Sequence, residues 1–447
     1  MSKRMVILGA GESGIGAALL AGQQGYEVFV SDGGPIKEKY KKELIDKGIE
    51  FEEGTHSEEK ILNADEVMKS PGIPEKNELV KKIRKKGIPV ISEIELAYRF
   101  KGSSKIIGIT GSNGKTTTTA LTYHICKHCG LDAALVGNIG YSFAKQVAED
   151  PKPWYVAEIS SFQLDDIETF RPDIAILTNI TEDHLDRYDY KFQNYIDSKF
   201  RIAMNQQPED HFIFCEDDEV TMQNINKYSI KSNPLPFTMR NELNKGAYIT
   251  NGQMTVTTAG QEKMQMSIYD FALSGKHNQY NTMAAGLAAS VIGLRKDKIR
   301  DAIQSFEALE HRMEFVATIR GIEFINDSKA TNVNSTWYAL ESMKKPTILI
   351  LGGTDKGNDY SVLRELIKEK VKAIVCMGVD NRKIQEAFQN DVPVMVNTTS
   401  AKEAVHTAFR LGNKGDVVLL SPACASFDLF KNYEDRGNQF KQAVKEL

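Results

Sequence analysis

A chain of 447 residues exceeds what a single hydrophobic core organises, so roughly two to four domains are expected. Its 56 basic and 60 acidic residues leave a formal net charge of −4, which argues against a surface that coats nucleic acid. Five irregularly spaced cysteines point to a reducing compartment, no apolar run approaches the roughly 18 residues of a membrane span, and the first strand comes too early for a signal sequence; a cytoplasmic monomer with no membrane insertion is expected.

The first block, residues 1–101, opens with a strand over 5–8, a glycine turn, a helix, and a second strand over 27–31 that ends at Asp32. Gly9, Gly11 and Gly14 complete a G-x-G-x-x-G, with Asp32 about 20 residues further on. This pattern predicts a dinucleotide or nucleotide-diphosphate site, with turn amides on phosphate and an acidic group for a hydroxyl or ring N–H. The same glycines also suit a tight strand-to-helix turn with no ligand. Residues 81–87 (KKIRKKG) read as a basic helix end, 88–91 as a short strand, and Gly102, Ser103 and Ser104 as a linker.

Next comes the most informative stretch, GITGSNGK at 108–115, followed by four threonines. A strand over 105–109 runs into Gly111, Ser112, Asn113 and Gly114, and then Lys115, Thr116 and Thr117 open a helix. That order lets backbone N–H groups and a helix N-terminus wrap a polyphosphate, while the lysine reaches outer oxygens and the Thr116 hydroxyl holds Mg²⁺. ATP is the expected ligand. Ile109 stands where the usual phosphate loop has its first glycine, so the run is G-x-x-G-K-T from Gly111, which points away from generic kinases and GTPases.

From 105 to about 308, apolar runs recur at IIGIT, AALVGN, WYVAEISS, IAILTNI and HFIFC with helical-length spacers, the signature of a parallel sheet with covering helices. An Asn251-Gly252 turn predicts an antiparallel hairpin within this block. After His311, strands at IEFIND, TILILGG, KAIVCMG, VPVMVN and DVVLLSP alternate with helices, and no solenoid repeat is present.

Polar groups stand where the central strands stop: Thr110, Glu158, and Asn179 through His184. In parallel sheets the ligand crevice lies outside the carboxyl ends of the strands, so these groups should converge on phosphates held by Lys115. A carboxylate and an imidazole there suit Mg²⁺; the plainer readings are a helix-capping carboxylate for Glu158 and a loop hydrogen-bond cluster for Asp183 and His184. Over 192–203, Phe192, Tyr195, Ile196, Ile202 and Ala203 share one helical face, and Lys199 falls within it. An inward ammonium must pair with a carboxylate or lose its proton. Periodicity alone favours an ion pair, with Glu158 as partner, over a neutral lysine that reacts with CO₂ to give a carbamate. His124, Cys126, His128 and Cys129 resemble a metal cluster, but no second ligand pair has suitable spacing and zinc is not expected. Cys424 in SPACAS reads as small-residue packing rather than a nucleophile. Two other classes stay open at this point: a nicotinamide-dependent dehydrogenase built on Gly9, Gly11, Gly14 and Asp32, and a non-catalytic ATP-gated binding module.

Taken together, ITGSNGKTTT, GNIG (137–140), EISSFQL (158–164), NITEDHLDRY (179–188), GKHNQYN (275–281), HRME (311–314), INDSKATN (325–332), GGTDKG (352–357) and SPACASFDLFKNYEDRG (421–437) resemble the Mur ligase family over the whole chain. SPGI (70–73), EISSFQL and SPACAS are similar to the branch that adds D-glutamate to UDP-N-acetylmuramoyl-L-alanine. The D-N-P-R motif of the diaminopimelate-adding relatives is absent, DSKATN standing in its region, though another amino-acid-adding Mur ligase remains the alternative.

The resemblance implies an α/β fold of three domains: N-terminal Rossmann-like (1–101), a central P-loop ATPase-type mostly parallel sheet (102–308), and C-terminal Rossmann-like (309–447). It implies an acyl-phosphate route to the amide that yields ADP and phosphate, in peptidoglycan precursor synthesis. It also moves Lys199 to the carbamate, which with His184 would hold a second Mg²⁺, the first lying on Thr116 and Glu158. By the same resemblance Gly111, Ser112, Asn113, Gly114, Lys115, Thr116, Thr117, Asn278, Arg312, Asp327 and Lys329 would bind ATP. Gly11, Glu12, Ser13, Asp32, Ser70, Pro71, Gly72 and Asn138 would bind the UDP-linked substrate, and Thr331, Lys356, Ser426 and Tyr433 the D-glutamate. Two positions depart from the family pattern: Asp355 precedes Lys356 where glycine is frequent, and Tyr433 stands where phenylalanine is common.

Overall fold

The computed structural model describes residues 2–258, 262–273, 275–306, 310–355 and 357–447. The chain forms two compact units, Met1–Phe271 with Gln279–Ser305, and Ala272–Asn278 with Phe306–Leu447. The expected junction at 308 and 309 lies outside the described residues.

The first unit contains two sheets. Strands β1 (Arg4–Leu8), β2 (Glu27–Asp32), β3 (Glu50–Glu53), β4 (Glu66–Lys69) and β5 (Val90–Ile91) form a parallel sheet in the order β3-β2-β1-β4-β5. The strand expected at 88–91 is only its last two residues, with the Pro89 carbonyl accepting from Val67 N at its entry. Met5, Val6, Ile7 and Leu8 are all buried, as an apolar run covered on both faces requires.

The second sheet has nine strands: β6 (Lys105–Thr110), β7 (Ala133–Gly137), β8 (Trp154–Glu158), β9 (Ile174–Leu177), β10 (His211–Cys215), β11 (Asn233–Thr238), β12 (Gly246–Thr250), β13 (Gln253–Thr257) and β14 (Met264–Ser267). Their order is β14-β13-β12-β11-β10-β9-β6-β8-β7, parallel from β7 to β12, with β13 antiparallel to both β12 and β14. The Asn251-Gly252 hairpin joins β12 to β13 as its sequence predicts. Strand β6 lies between β8 and β9, and the register sets Ile109 beside Glu158 and Thr110 beside Leu177. The ends of three neighbouring strands therefore meet at one edge.

A buried helix, Glu93–Phe100, joins the two sheets of this unit. Its Glu93 accepts from Ser142 Oγ and Ala144 N, both at 2.6 Å, and Glu95 accepts from the amides of Glu168, Thr169 and Phe170 at 3.0, 3.0 and 2.8 Å. Lys69 at the end of β4 pairs with buried Asp166 at 3.0 Å.

In the second unit, β15 (Glu314–Ile319), β16 (Ile322–Asn326), β17 (Thr347–Leu351), β18 (Val371–Met377), β19 (Met395–Thr398) and β20 (Val417–Leu420) form a sheet in the order β15-β16-β20-β17-β18-β19. Only β15 runs antiparallel. The loops after β16, β17 and β20 are the DSKATN, GGTDKG and SPACAS segments, so three adjacent strands deliver them to one edge.

Candidate active site

The turn after β6 is built for close backbone approach. Gly111 has φ +145 and a Cβ there would sit 1.9 Å from Thr178 Oγ1; Gly114 has φ +82 and would place a Cβ 2.4 Å from Asn281 Oδ1. Only glycine fits either position. Gly114 caps the Lys115–His128 helix, whose first residues Thr116 and Thr117 are buried. Asn179 clamps the turn from β9: its carbonyl accepts Ser112 N at 2.9 Å and its side chain accepts Asn113 N at 3.0 Å. Ser112 Oγ donates to Thr181 O at 2.8 Å, and the Lys115 ammonium donates to the carbonyls of Gly111 and Ser112 at 2.7 and 2.8 Å. The lysine is folded over its own loop, at the N-terminus of a helix that favours an anion.

Glu158, at the end of β8, is 1 % exposed. Its Oε1 accepts from Asn138 Nδ2 at 2.7 Å, while its Oε2 is buried with no hydrogen-bond partner. A buried carboxylate oxygen left unsatisfied is costly unless a cation or donor completes it. Gly137, before Asn138, would put a Cβ 2.3 Å from the Glu158 carbonyl, so β7 can approach β8 this closely only with glycine there.

Lys199 lies on the Phe192–Phe200 helix and is 1 % exposed, as its place in the apolar stripe predicts. The ion pair with Glu158 that periodicity favours is absent. The ammonium instead donates to Gly111 O at 2.9 Å and Thr110 Oγ1 at 3.3 Å, and sits 5.2 Å from the Tyr195 ring centre. Burial, with the Lys115 charge nearby, holds its pKa well below the ordinary lysine value. His184 adopts a left-handed backbone with φ +53, its Nε2 3.7 Å from Asp183 Oδ2 and its ring edge-on to Phe162 at 5.2 Å. Among the described residues no three His, Cys, Asp or Glu side chains converge as metal ligands, at this edge or around His124, Cys126, His128 and Cys129.

In the second unit, Asp327 at the end of β16 is buried; it accepts from Ser421 Oγ at 2.9 Å and Met313 N at 3.2 Å, and burial pushes its carboxyl up to about 7. Arg312 Nε is buried without a hydrogen-bond partner, and Arg312 contributes to holding the half-buried His277 imidazole down to about 4, desolvation being the larger cause. Lys329 lies 5.2 Å over the Tyr433 ring. Ser426 is buried and Thr331 exposed; Asn278 is on the Lys276–Ile292 helix, and Lys356 falls outside the described residues.

Three family models cover most of the chain: the MurD N-terminal domain at residues 4–79, the Mur ligase middle domain at 109–289, and the Mur ligase glutamate ligase domain at 311–424. The chain is 56 % identical over 447 residues, all of both chains, to a UDP-N-acetylmuramoylalanine–D-glutamate ligase of Christiangramia forsetii. The chain belongs to the Mur ligase family. A second ligase of the same description, from Bacteroides fragilis, is 54 % identical over the full length of both. Among solved structures, a pseudomurein peptide ligase type C from Methanothermus fervidus has the same fold, with a TM-score of 0.64 at 19 % identity and full coverage of both chains.

In this Mur ligase the G-x-G-x-x-G turn is tight in its own right: Gly9 has φ +91, and a Cβ on Gly14 would lie 1.9 Å from the Gly9 carbonyl. Asp32 accepts from Ala10 N at 2.7 Å and Gly34 N at 2.8 Å, so its carboxylate organises the turn. Glu12 accepts from Tyr40 OH at 2.7 Å, Ser13 lies in the first turn of the Glu12–Gln23 helix, and Gly11, at that helix's N-cap, is exposed. Ser70 donates weakly to Gly9 O at 3.4 Å, which brings the SPGI loop against the glycine turn. Two residues inside the quoted motifs were not singled out by sequence. Asn281 accepts from Thr118 Oγ1 at 3.1 Å; its signal was a position three residues after Asn278 on one helix. Arg187 lies 4.3 Å over the Phe162 ring and donates to Pro71 O at 3.1 Å and Gly72 O at 3.4 Å, tying the NITEDHLDRY segment to SPGI; no short-range signal marks it.

Proposed function

We propose that this chain joins the amine of D-glutamate to the alanine carboxylate of UDP-N-acetylmuramoyl-L-alanine, converting ATP to ADP and phosphate in peptidoglycan precursor synthesis. The observation that carries the reading is the unpartnered oxygen of buried Glu158, one strand away from a phosphate loop whose glycines cannot be replaced without collision. The identity with D-glutamate ligases over the full chain supports the choice of amino acid and acceptor.

A carboxylate resists amine attack, so the γ-phosphoryl group passes first to the alanine carboxylate, giving an acyl phosphate that the D-glutamate amine then displaces with loss of phosphate. Lys115 swings from its loop carbonyls to the outer phosphate oxygens, and the loop amides neutralise the rest of the charge. Thr116 and Glu158 would hold a first Mg²⁺. The donor set fits, because Mg²⁺ keeps water and phosphate ligands and asks for only one or two protein carboxylates. Bound there, the ion supplies charge neutralisation for the transferred group. His184 and Lys199 would hold a second, the lysine as a carbamate: its nitrogen attacks CO₂ and releases one proton. That step needs a neutral amine, which burial beside Lys115 favours by lowering the lysine pKa. Asn278, Arg312, Asp327 and Lys329 serve the nucleotide, Asn138 and the N-terminal loops the UDP-linked acceptor, and Thr331, Lys356, Ser426 and Tyr433 the D-glutamate carboxylates. The boundaries 1–101, 102–308 and 309–447 then separate the acceptor, nucleotide and amino-acid domains.

The test is mass spectrometry of products from purified enzyme, ATP, magnesium and UDP-N-acetylmuramoyl-L-alanine with a panel of amino acids. An amide with D-glutamate alone is expected; ATP hydrolysis without amide, or preference for another amino acid, would refute the reading.

A further inference from the structure

The segment that carries Ser426 is held at six consecutive carbonyls. Ser421 O accepts from Thr336 Oγ1 at 3.2 Å, Pro422 O from Gly352 N at 2.9 Å, and Ala423 O from Asn358 Nδ2 at 3.1 Å. Cys424 O accepts from buried Arg436 at 3.1 Å, Ala425 O from Thr354 N at 2.8 Å, and Ser426 O from Phe430 N at 2.9 Å. Such full satisfaction is the rule for buried backbone, but one residue shows that it also does work against strain. Ala423 has φ +58, a left-handed conformation that a residue with a Cβ seldom adopts without outside support. Strain of this kind persists where the surroundings over-determine it, and gathers at ligand clamps.

The support comes from one short chain of side chains. The Asn358 amide donates both to the Ala423 carbonyl and, at 3.4 Å, to Cys424 Sγ. Tyr360 OH meets the same sulfur at 3.1 Å and donates to Asp355 Oδ2 at 2.9 Å, and Asp355 Oδ1 accepts from Lys383 at 2.9 Å and Gly357 N at 2.7 Å. Cys424 remains a thiol, burial pushing it up to about 11, so its S–H can donate to the Tyr360 oxygen. Tyr360 is itself buried, with its ring edge-on to Phe388 at 6.1 Å.

We propose that Asn358 and Tyr360 are positioning residues for the amino-acid substrate: through Ala423 and Cys424 they hold the strained turn that fixes Ser426 against the incoming carboxylate. The inference rests on the reading of Ser426 given above and assigns a role to residues outside every expected contact. It also gives Asp355, the departure from the family's usual glycine, a place as the anchor of Tyr360.

Tyr360→Phe keeps the ring packing and removes one hydroxyl; Asn358→Ala removes the donor to Ala423. Each full-length variant is assayed by steady-state kinetics with the three substrates varied in turn. In both, KM for D-glutamate should rise about tenfold, the effect expected from loss of one buried hydrogen bond, while KM for ATP and for the UDP-linked acceptor stays within about twofold. A glutamate KM unchanged in both variants, a uniform rise in all three, or a fall in kcat alone overturns the proposal. ATP binding, followed by thermal shift, reports that each variant is folded. Should the wild-type enzyme use another amino acid, the proposed function fails and the same KM split is scored on that amino acid.

Discussion

The direct contacts of buried Lys199 are uncharged, a hydroxyl, a peptide carbonyl and the Tyr195 ring, while the Asp183, Asp165 and Glu158 carboxylates oppose the effect of burial without cancelling it. An ammonium there meets the Lys115 charge and loses its hydration, and these two effects hold its pKa well below the ordinary lysine value and favour the neutral amine. Replacement by alanine should reduce turnover by at least about 10²-fold, the scale of a lost electrostatic contact to the transferring group. Activity should return in part with formate or acetate, which replace the carbamate's anionic end. Rescue by a short amine instead would support a plain cation at this position. Lys115→Ala should lower kcat by at least about 10²-fold for the same reason, with protein that still melts normally; near wild-type turnover would mean that the phosphates bind elsewhere. The inward direction of Lys199 was legible because a 3.6-residue period places it among Tyr195, Ile196 and Ile202. Its partners were not, since Thr110 and Gly111 lie on another strand end and only the β9-β6-β8 order brings them under the helix. Arg187 was hidden for a like reason, its acceptors Pro71 and Gly72 being far away in sequence.

At the scale of elements, the Glu93–Phe100 helix works as a double cap. Glu95 receives three backbone amides, the Thr169 hydroxyl at 2.6 Å and Arg99 at 2.9 Å, and is fully buried. Glu95→Ala removes the shared acceptor of three backbone amides, the Phe170 amide among them fully buried, and should cost about 3 kcal/mol in urea denaturation of the full chain. A loss under about 1 kcal/mol would mean the amides find other acceptors. This helix had no visible role in the sequence, because caps between distant segments leave no periodic trace. The apolar runs of β6, β8, β9, β17 and β20 were legible, as continuous branched residues buried on both faces. Strands β3 (EFEE) and β11 (NPLPFT) were not. The first is a partly exposed sheet edge with three glutamates in its four residues. The second contains Pro234 and Pro236, which argue against a strand, yet β11 pairs with β12 only through Phe237 and Thr238, so neither proline faces that ladder.

Across the whole molecule, each compact unit carries a buried carboxyl that resists ionisation: Glu93 in the first and Asp327 in the second, both pushed up to about 7 by burial. For Glu93 the hydrogen bonds from Ser142 and Ala144 oppose this but do not cancel it. A folded-state pKa above the unfolded value means that the native state binds the proton more tightly. The stabilisation is complete below the ordinary carboxyl value of 4.5 and is lost as pH rises through about 7. Other carboxylates, Glu75 and Glu95 among them, are held below their ordinary value and act in the opposite sense, so the wild-type curve alone mixes the two. A difference curve separates them. Glu93→Gln keeps an acceptor for Ser142 and Ala144 and never ionises, so it should match the wild type near pH 4.5. Above pH 7 it should be the more stable protein, by an amount on the order of 3 kcal/mol at most. Chemical denaturation of both proteins from pH 4.5 to 8.5 reads this directly; a gap that stays constant with pH would show that Glu93 is ionised throughout, and one that opens towards low pH would reverse the assignment.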